Sequence, residues 1–181
     1  MTPDTPFTND YLQRHSKLAA LTCQIVGIAI PALLLVSWGL GDAANASVSQ
    51  LGLPTDHTLS ATQLILGTLL SVLPALALAR ALFGVATCFS HFARGDLFNA
   101  GQPRALNLAG RWLIVSGVLA LVVPTVLTLV LSLNAGAGAR VFAITVTGNG
   151  ILVILFGALL WSLGHVWAVA NRLAAENARF V

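Results

Sequence analysis

Long apolar runs alternate with short polar segments along this chain. Four stretches contain no Asp, Glu, Lys or Arg, at residues 18–41, 58–79, 112–139 and 141–171. A helix needs about 20 consecutive apolar residues to cross the hydrocarbon core of a bilayer, and each stretch is long enough. The pattern therefore predicts an all-α membrane protein with four transmembrane helices in a bundle.

The span boundaries follow from the residues that flank each apolar run. Residues 1–17 are polar and are predicted to form a disordered tail, and residues 171–181 form a second tail. Span two is expected to continue as a helix beyond the membrane as far as Phe92, whereas residues 41–57 are predicted to be a loop. The first apolar run exceeds the roughly 7–15 residues of a signal-peptide core, so it is expected to be retained. The predicted spans are 18–40, 59–79, 112–133 and 150–170.

Composition supports a membrane location. Hydrophobic residues make up 57% of the chain and charged residues 8%, against roughly 25% charged residues in a soluble domain. The net charge of +3 is spread along the chain, which excludes a concentrated nucleic-acid-binding patch and predicts no direct binding of nucleic acid. Cys23 and Cys88 show no metal-binding spacing and are expected to be free thiols.

The basic residues are distributed asymmetrically about the predicted spans. Arg140 alone falls on one side of the membrane. Positively charged residues are enriched on the cytoplasmic side of membrane proteins, so both termini and the segment between spans two and three are predicted to be cytoplasmic. The basic residues on that side are Arg14, Lys17, Arg80, Arg94, Arg104, Arg111, Arg172 and Arg179.

Arg80 has two possible depths, because the apolar stretch around it exceeds one bilayer thickness. An arginine at the membrane centre costs about 2.5–3.5 kcal/mol on insertion scales. At the interface the same side chain reaches the headgroups at little cost. The sequence favours the interface for Arg80, and the alternative is a position within the membrane as an anion or lipid-headgroup site.

His91 and His165 are the candidate ligands for a b-type haem. If Arg80 lies at the interface, His91 lies about 15 Å farther into the cytoplasm by helical rise, whereas His165 falls inside span four. These depths do not match, so neither a cofactor nor a bound metal is expected. His165, one turn after Trp161, is instead predicted to form an interhelical hydrogen bond.

The spans offer little catalytic chemistry. No Asp or Glu lies inside any of them, and proton-coupled carriers usually need an intramembrane acid or a histidine relay. Gly157 and Gly164 give span four a small-residue face, which is typical of close helix packing and could also contact another subunit.

The segment from Phe92 to Trp112 reads FARGDLFNAGQPRALNLAGRW. A Gly-acidic-x-Phe turn and an Asn are followed by a helix with spaced Leu and Arg residues that ends in Gly. The segment resembles the signature of an uncharacterised bacterial four-helix membrane family, domain-of-unknown-function family two-nine-seven-five. The resemblance implies a multi-pass protein of the bacterial cytoplasmic membrane and, from the helix-turn-helix regulators often encoded beside the family, a partner in regulation. The matching residues are Gly95, Asp96, Phe98, Asn99, Arg104, Leu106 and Gly110.

We call the segment 92–112 the elbow and predict that it is ordered at the membrane surface, with Pro103 at the start of a helix. The first functional hypothesis is a non-enzymatic accessory or regulatory subunit that acts through helix contacts or through the elbow. The alternatives are a small oligomeric transporter or channel and a haem- or quinone-binding redox subunit. The residues predicted to contact a protein partner or anionic lipid are Arg80, Arg94, Asp96, Phe98, Asn99, Arg104 and Arg111.

Overall fold

The computed structural model describes residues 6–50, 60–94, 101–132 and 148–177, and these residues form helices, with a short turn between the first two and without a strand. Four segments of 26 to 33 residues are long and apolar enough to cross a membrane. The predicted all-α fold with four transmembrane helices is therefore confirmed, and the chain is a multi-pass membrane protein. The helices are α1 (Pro6–Gly39), α2 (Asp42–Gln50), α3 (Ala61–Ala93), α4 (Gly101–Ser132) and α5 (Gly148–Asn177).

The helices extend beyond the predicted spans. The predicted disorder of residues 1–17 is wrong from Pro6 onward, because α1 already begins there; proline suits the first position of a helix, where its missing N–H is not needed. The predicted loop at 41–57 is wrong over the part that α2 occupies. Gly41 adopts a φ of 84° between α1 and α2, a conformation that glycine adopts without steric cost.

The long helices pack as a row of antiparallel neighbours. In the described part of the chain, extensive packing joins α1 to α3, α3 to α4 and α4 to α5, while α2 contacts α1. We call the end where α1 and α4 begin the basic end and the opposite one the far end. Small buried residues on α3, such as Ala79, Ala81 and Gly84, let its two neighbours approach closely, as is usual between membrane helices.

Glycines spaced seven residues apart hold α4 against α5. A Cβ atom on Gly110 would lie 2.6 Å from the backbone N of Trp161 and 2.8 Å from the carbonyl O of Gly157. A spacing of seven is close to two helical turns, so these glycines share one face. The small-residue face predicted at Gly157 and Gly164 therefore contacts α4 of the same chain. The glycines of this seam are Gly110, Gly117, Gly150, Gly157 and Gly164.

Candidate functional site

Two contacts between α3 and α4 set the relative height of their side chains. The hydroxyl of Ser116 donates a hydrogen bond of 2.9 Å to the carbonyl O of Pro74. Ten residues farther along α3, a Cβ atom on Gly84 would lie 3.0 Å from Cβ of Ala109. Because the helices are antiparallel, residue 80 stands opposite about residue 111. Arg80 and Arg111 are therefore level with each other.

The two outer helices locate this level within the molecule. On α1, a Cβ atom on Gly27 would lie 3.6 Å from the carbonyl O of Ala79. On α5, the backbone of Trp161 contacts Gly110. Lys17 and Arg172 are the nearest cations on these helices toward the basic end; Lys17 is ten residues from Gly27, and Arg172 is thirteen residues from position 159, which is level with Arg111. At 1.5 Å per residue these separations are about 15–20 Å, at least half the thickness of a hydrocarbon core.

The relative heights of the four long helices bear on the predicted depth of Arg80 and Arg111 in the membrane. Gly27 lies near the middle of predicted span one (18–40), and residue 159, opposite Arg111, lies near the middle of predicted span four (150–170). Spans one and four, at this relative height of the helices, put Arg80 and Arg111 inside the membrane, whereas predicted spans two (59–79) and three (112–133) end beside them; the interfacial position stays a prediction. Each span was located by its own flanking charges, whereas the height of one helix against another depends on the glycine and alanine contacts.

Both arginine side chains are exposed and stand in stripes of exposed apolar residues. The stripes repeat every three or four residues, which keeps each on one face of its helix. The ring centroids of Phe92 on α3 and Trp167 on α5 are 5.5 Å apart. This contact marks one side of the helix row. At 3.6 residues per turn, the exposed stripes of α3 and α4 both fall on the opposite side of the row. We call them together the arginine face: Ile65, Leu69, Leu73, Leu76 and Arg80 on α3, and Leu108, Arg111, Val115, Val118 and Val122 on α4.

The described part of the chain supplies no carboxylate at the height of these arginines. None of its six acidic residues falls within the apolar segments, and among the described residues neither arginine forms an ion pair. The arginine face therefore presents two positive charges within an apolar surface. The acidic residues are Asp4, Asp10, Asp42, Asp56, Asp96 and Glu176.

The described part of the elbow contains Arg94 and Arg104. Arg94 follows the last residue of α3, and its Nε donates to the carbonyl O of Ser90 at 3.2 Å while Nη2 donates to Ser90 Oγ at 3.3 Å. Arg104 is exposed in the first turn of α4, and Pro103 lies two residues after the start of that helix. Three predicted contact residues, Asp96, Phe98 and Asn99, lie outside the described residues.

The two histidines are closer in height than the sequence predicted. Their neighbours Phe92 and Trp167 are in ring contact, so the predicted mismatch in depth between His91 and His165 is wrong. Position 165 is nevertheless about 160° around α5 from position 167, so His165 faces away from α3. Its Nδ1 lies 3.0 Å from the carbonyl O of Trp161, a contact within α5 and not the predicted interhelical one.

The described residues contain no group of three or more His, Cys, Asp or Glu side chains that could hold a metal ion. Comparison with known proteins gives no match to a protein-family model, to a curated protein or to a solved structure. The family resemblance of the elbow accordingly stays a prediction, and any functional assignment depends on the residues described above.

Proposed function

We propose that this protein is a non-enzymatic accessory or regulatory subunit of a membrane complex and that the arginine face binds its partner. The observation that supports the proposal is the level pair Arg80 and Arg111, exposed among apolar side chains at mid-height of the helix row. Ionisable residues within membrane segments are costly and are typically kept for function.

Energetics favour a partner that carries a negative charge. Each arginine near the membrane centre costs about 2.5–3.5 kcal/mol on insertion scales. A carboxylate at the same height on a neighbouring helix would offset that cost and form a bidentate, charge-assisted pair with a guanidinium group. Within the described residues, a second copy of this chain offers no acid at that height. The proposed partner is therefore a different membrane protein with an Asp or Glu in a transmembrane helix.

The same proposal includes an orientation. Lys17, Arg94, Arg104 and Arg172 gather at the basic end, and the cytoplasmic side of membrane proteins is enriched in such residues. We therefore propose that the basic end faces the cytoplasm of a bacterial cell and that the far end faces outward.

Crosslinking in native membranes, followed by purification in mild detergent, tests the proposal. We expect a partner to be captured by the wild type and lost from the Arg80→Leu/Arg111→Leu double variant. Arg14→Leu/Arg172→Leu removes the same charge from exposed positions near the basic end, outside the arginine face, and is the matched control; it should retain the partner. The captured protein must also lose binding when its own intramembrane Asp or Glu is replaced by Asn or Gln. Unchanged capture by the double variant would refute the role of the arginine face.

A further inference from the structure

A second basic site lies between α1 and α3 at the basic end, fourteen residues along α3 from Arg80. It is an open cleft of about 340 Å³, with Lys17 and Gln24 on one wall and Ser90 and Arg94 on the other. The rest of the lining is apolar and includes Leu21. The cleft therefore joins two cations from different helices with neutral hydrogen-bonding groups and an apolar wall.

The Arg94 side chain is held in place by its own helix. Nε and Nη2 donate to the backbone and hydroxyl oxygens of Ser90, which restrains the guanidinium group near the end of α3. A guanidinium group carries five N–H donors, so Arg94 retains others for a ligand. Lys17 adds a second cation across the cleft, and neither forms an ion pair among the residues that the structure describes. Such a fork of restrained donors suits the oxygens of a phosphate group.

The surroundings of the cleft favour a phosphate that carries acyl chains. Lys17 immediately precedes the apolar segment of α1. On α1, Leu18 beside Lys17, Leu21 on the cleft wall and Ile25 beyond it are 54–64% exposed. An apolar surface therefore continues from the cations toward the far end. We propose that this cleft binds the phosphate group of an anionic phospholipid, with the acyl chains lying along α1.

Native mass spectrometry of the detergent-purified protein tests this proposal with phosphatidylglycerol, phosphatidylcholine and inorganic phosphate as separate probes. Each cation near anionic lipid contributes about 1 kcal/mol, so we expect Lys17→Gln/Arg94→Gln to weaken phosphatidylglycerol binding about 30-fold. Arg14→Gln/Arg172→Gln removes the same charge from the same end and should change binding less than about threefold. Lys17→Arg, which keeps the cation, should bind as the wild type does.

Several results would overturn the proposal. Equal losses in the two double variants would indicate general electrostatic attraction instead of a site. Equal binding of phosphatidylcholine would remove the requirement for an anionic lipid, and displacement of phosphatidylglycerol by millimolar inorganic phosphate would identify a free anion as the ligand. If the cleft double variant does not fold, Lys17→Gln alone should still weaken binding about fivefold.

Discussion

Replacing Gly110 by alanine tests how closely α4 and α5 are packed. The new Cβ would meet backbone atoms only: Trp161 N at 2.6 Å, Gly157 O at 2.8 Å and Trp161 Cα at 2.9 Å. Ordinary contacts of a Cβ atom begin near 3.4 Å. Because backbone atoms cannot rotate away, the helices must separate by several tenths of an ångström, and overpacking of this kind costs about 1–3 kcal/mol. We expect Gly110→Ala to lower the free energy of unfolding by that amount.

The natural controls are other glycines of the same chain. A Cβ on Gly148 would meet nothing within 4 Å, so Gly148→Ala should be neutral or stabilising by up to about 1 kcal/mol. Gly164→Ala should cost less than Gly110→Ala, because its nearest contact is the side-chain oxygen of Asn107 at 2.5 Å. The assay is unfolding in mixed micelles by added dodecyl sulfate, followed by the near-ultraviolet circular dichroism of the tryptophans. Equal stability of Gly110→Ala and Gly148→Ala would refute the close contact.

Two further predictions concern the α3–α4 contact and the orientation of the chain. Ser116→Ala removes the hydrogen bond to Pro74 O and should cost about 0.6 kcal/mol in the same assay. Thr128→Val removes a bond within one helix and keeps the volume of the side chain, so it should cost less. The reverse order would show that the interhelical bond does not stabilise the row. A membrane-impermeant maleimide should label Ser49→Cys in intact cells and should label Glu176→Cys only after lysis. The reason is that the basic residues gather near Glu176, at the end proposed to be cytoplasmic. Labelling of Glu176→Cys in intact cells would reverse the proposed orientation.

The helices were predictable from the sequence because their signal is local. An uninterrupted apolar run of about 20 residues is sufficient to identify a membrane helix. Their true ends were harder to predict, because polar residues after Pro6 and in α2 are compatible with either a helix or a loop. Only the surrounding structure decides between the two.

The height of Arg80 was not predictable in the same way. A charge at the end of an apolar run ordinarily marks the membrane surface, and nothing in the local sequence of α3 distinguishes Arg80 from such a charge. Its height depends on which residues of α1 and α4 it stands beside, and those contacts involve Gly27 and Ala109, far away in the sequence. The same holds for the height of Arg111.

The central claim is that the level of the two arginines lies inside the apolar part of the membrane. Ile28 is 62% exposed on α1 at this level, and Leu18, also exposed, lies ten residues nearer the basic end. A nitroxide at Ile28→Cys, in a background with Cys23→Ala and Cys88→Ala, reports the depth without removing Arg80. Power saturation in liposomes, with oxygen and a nickel chelate as relaxing agents, should place this label about 15 Å deeper than one at Leu18→Cys. A label at Ile28→Cys that lies at the headgroups, with the label at Leu18→Cys in water, would contradict the account.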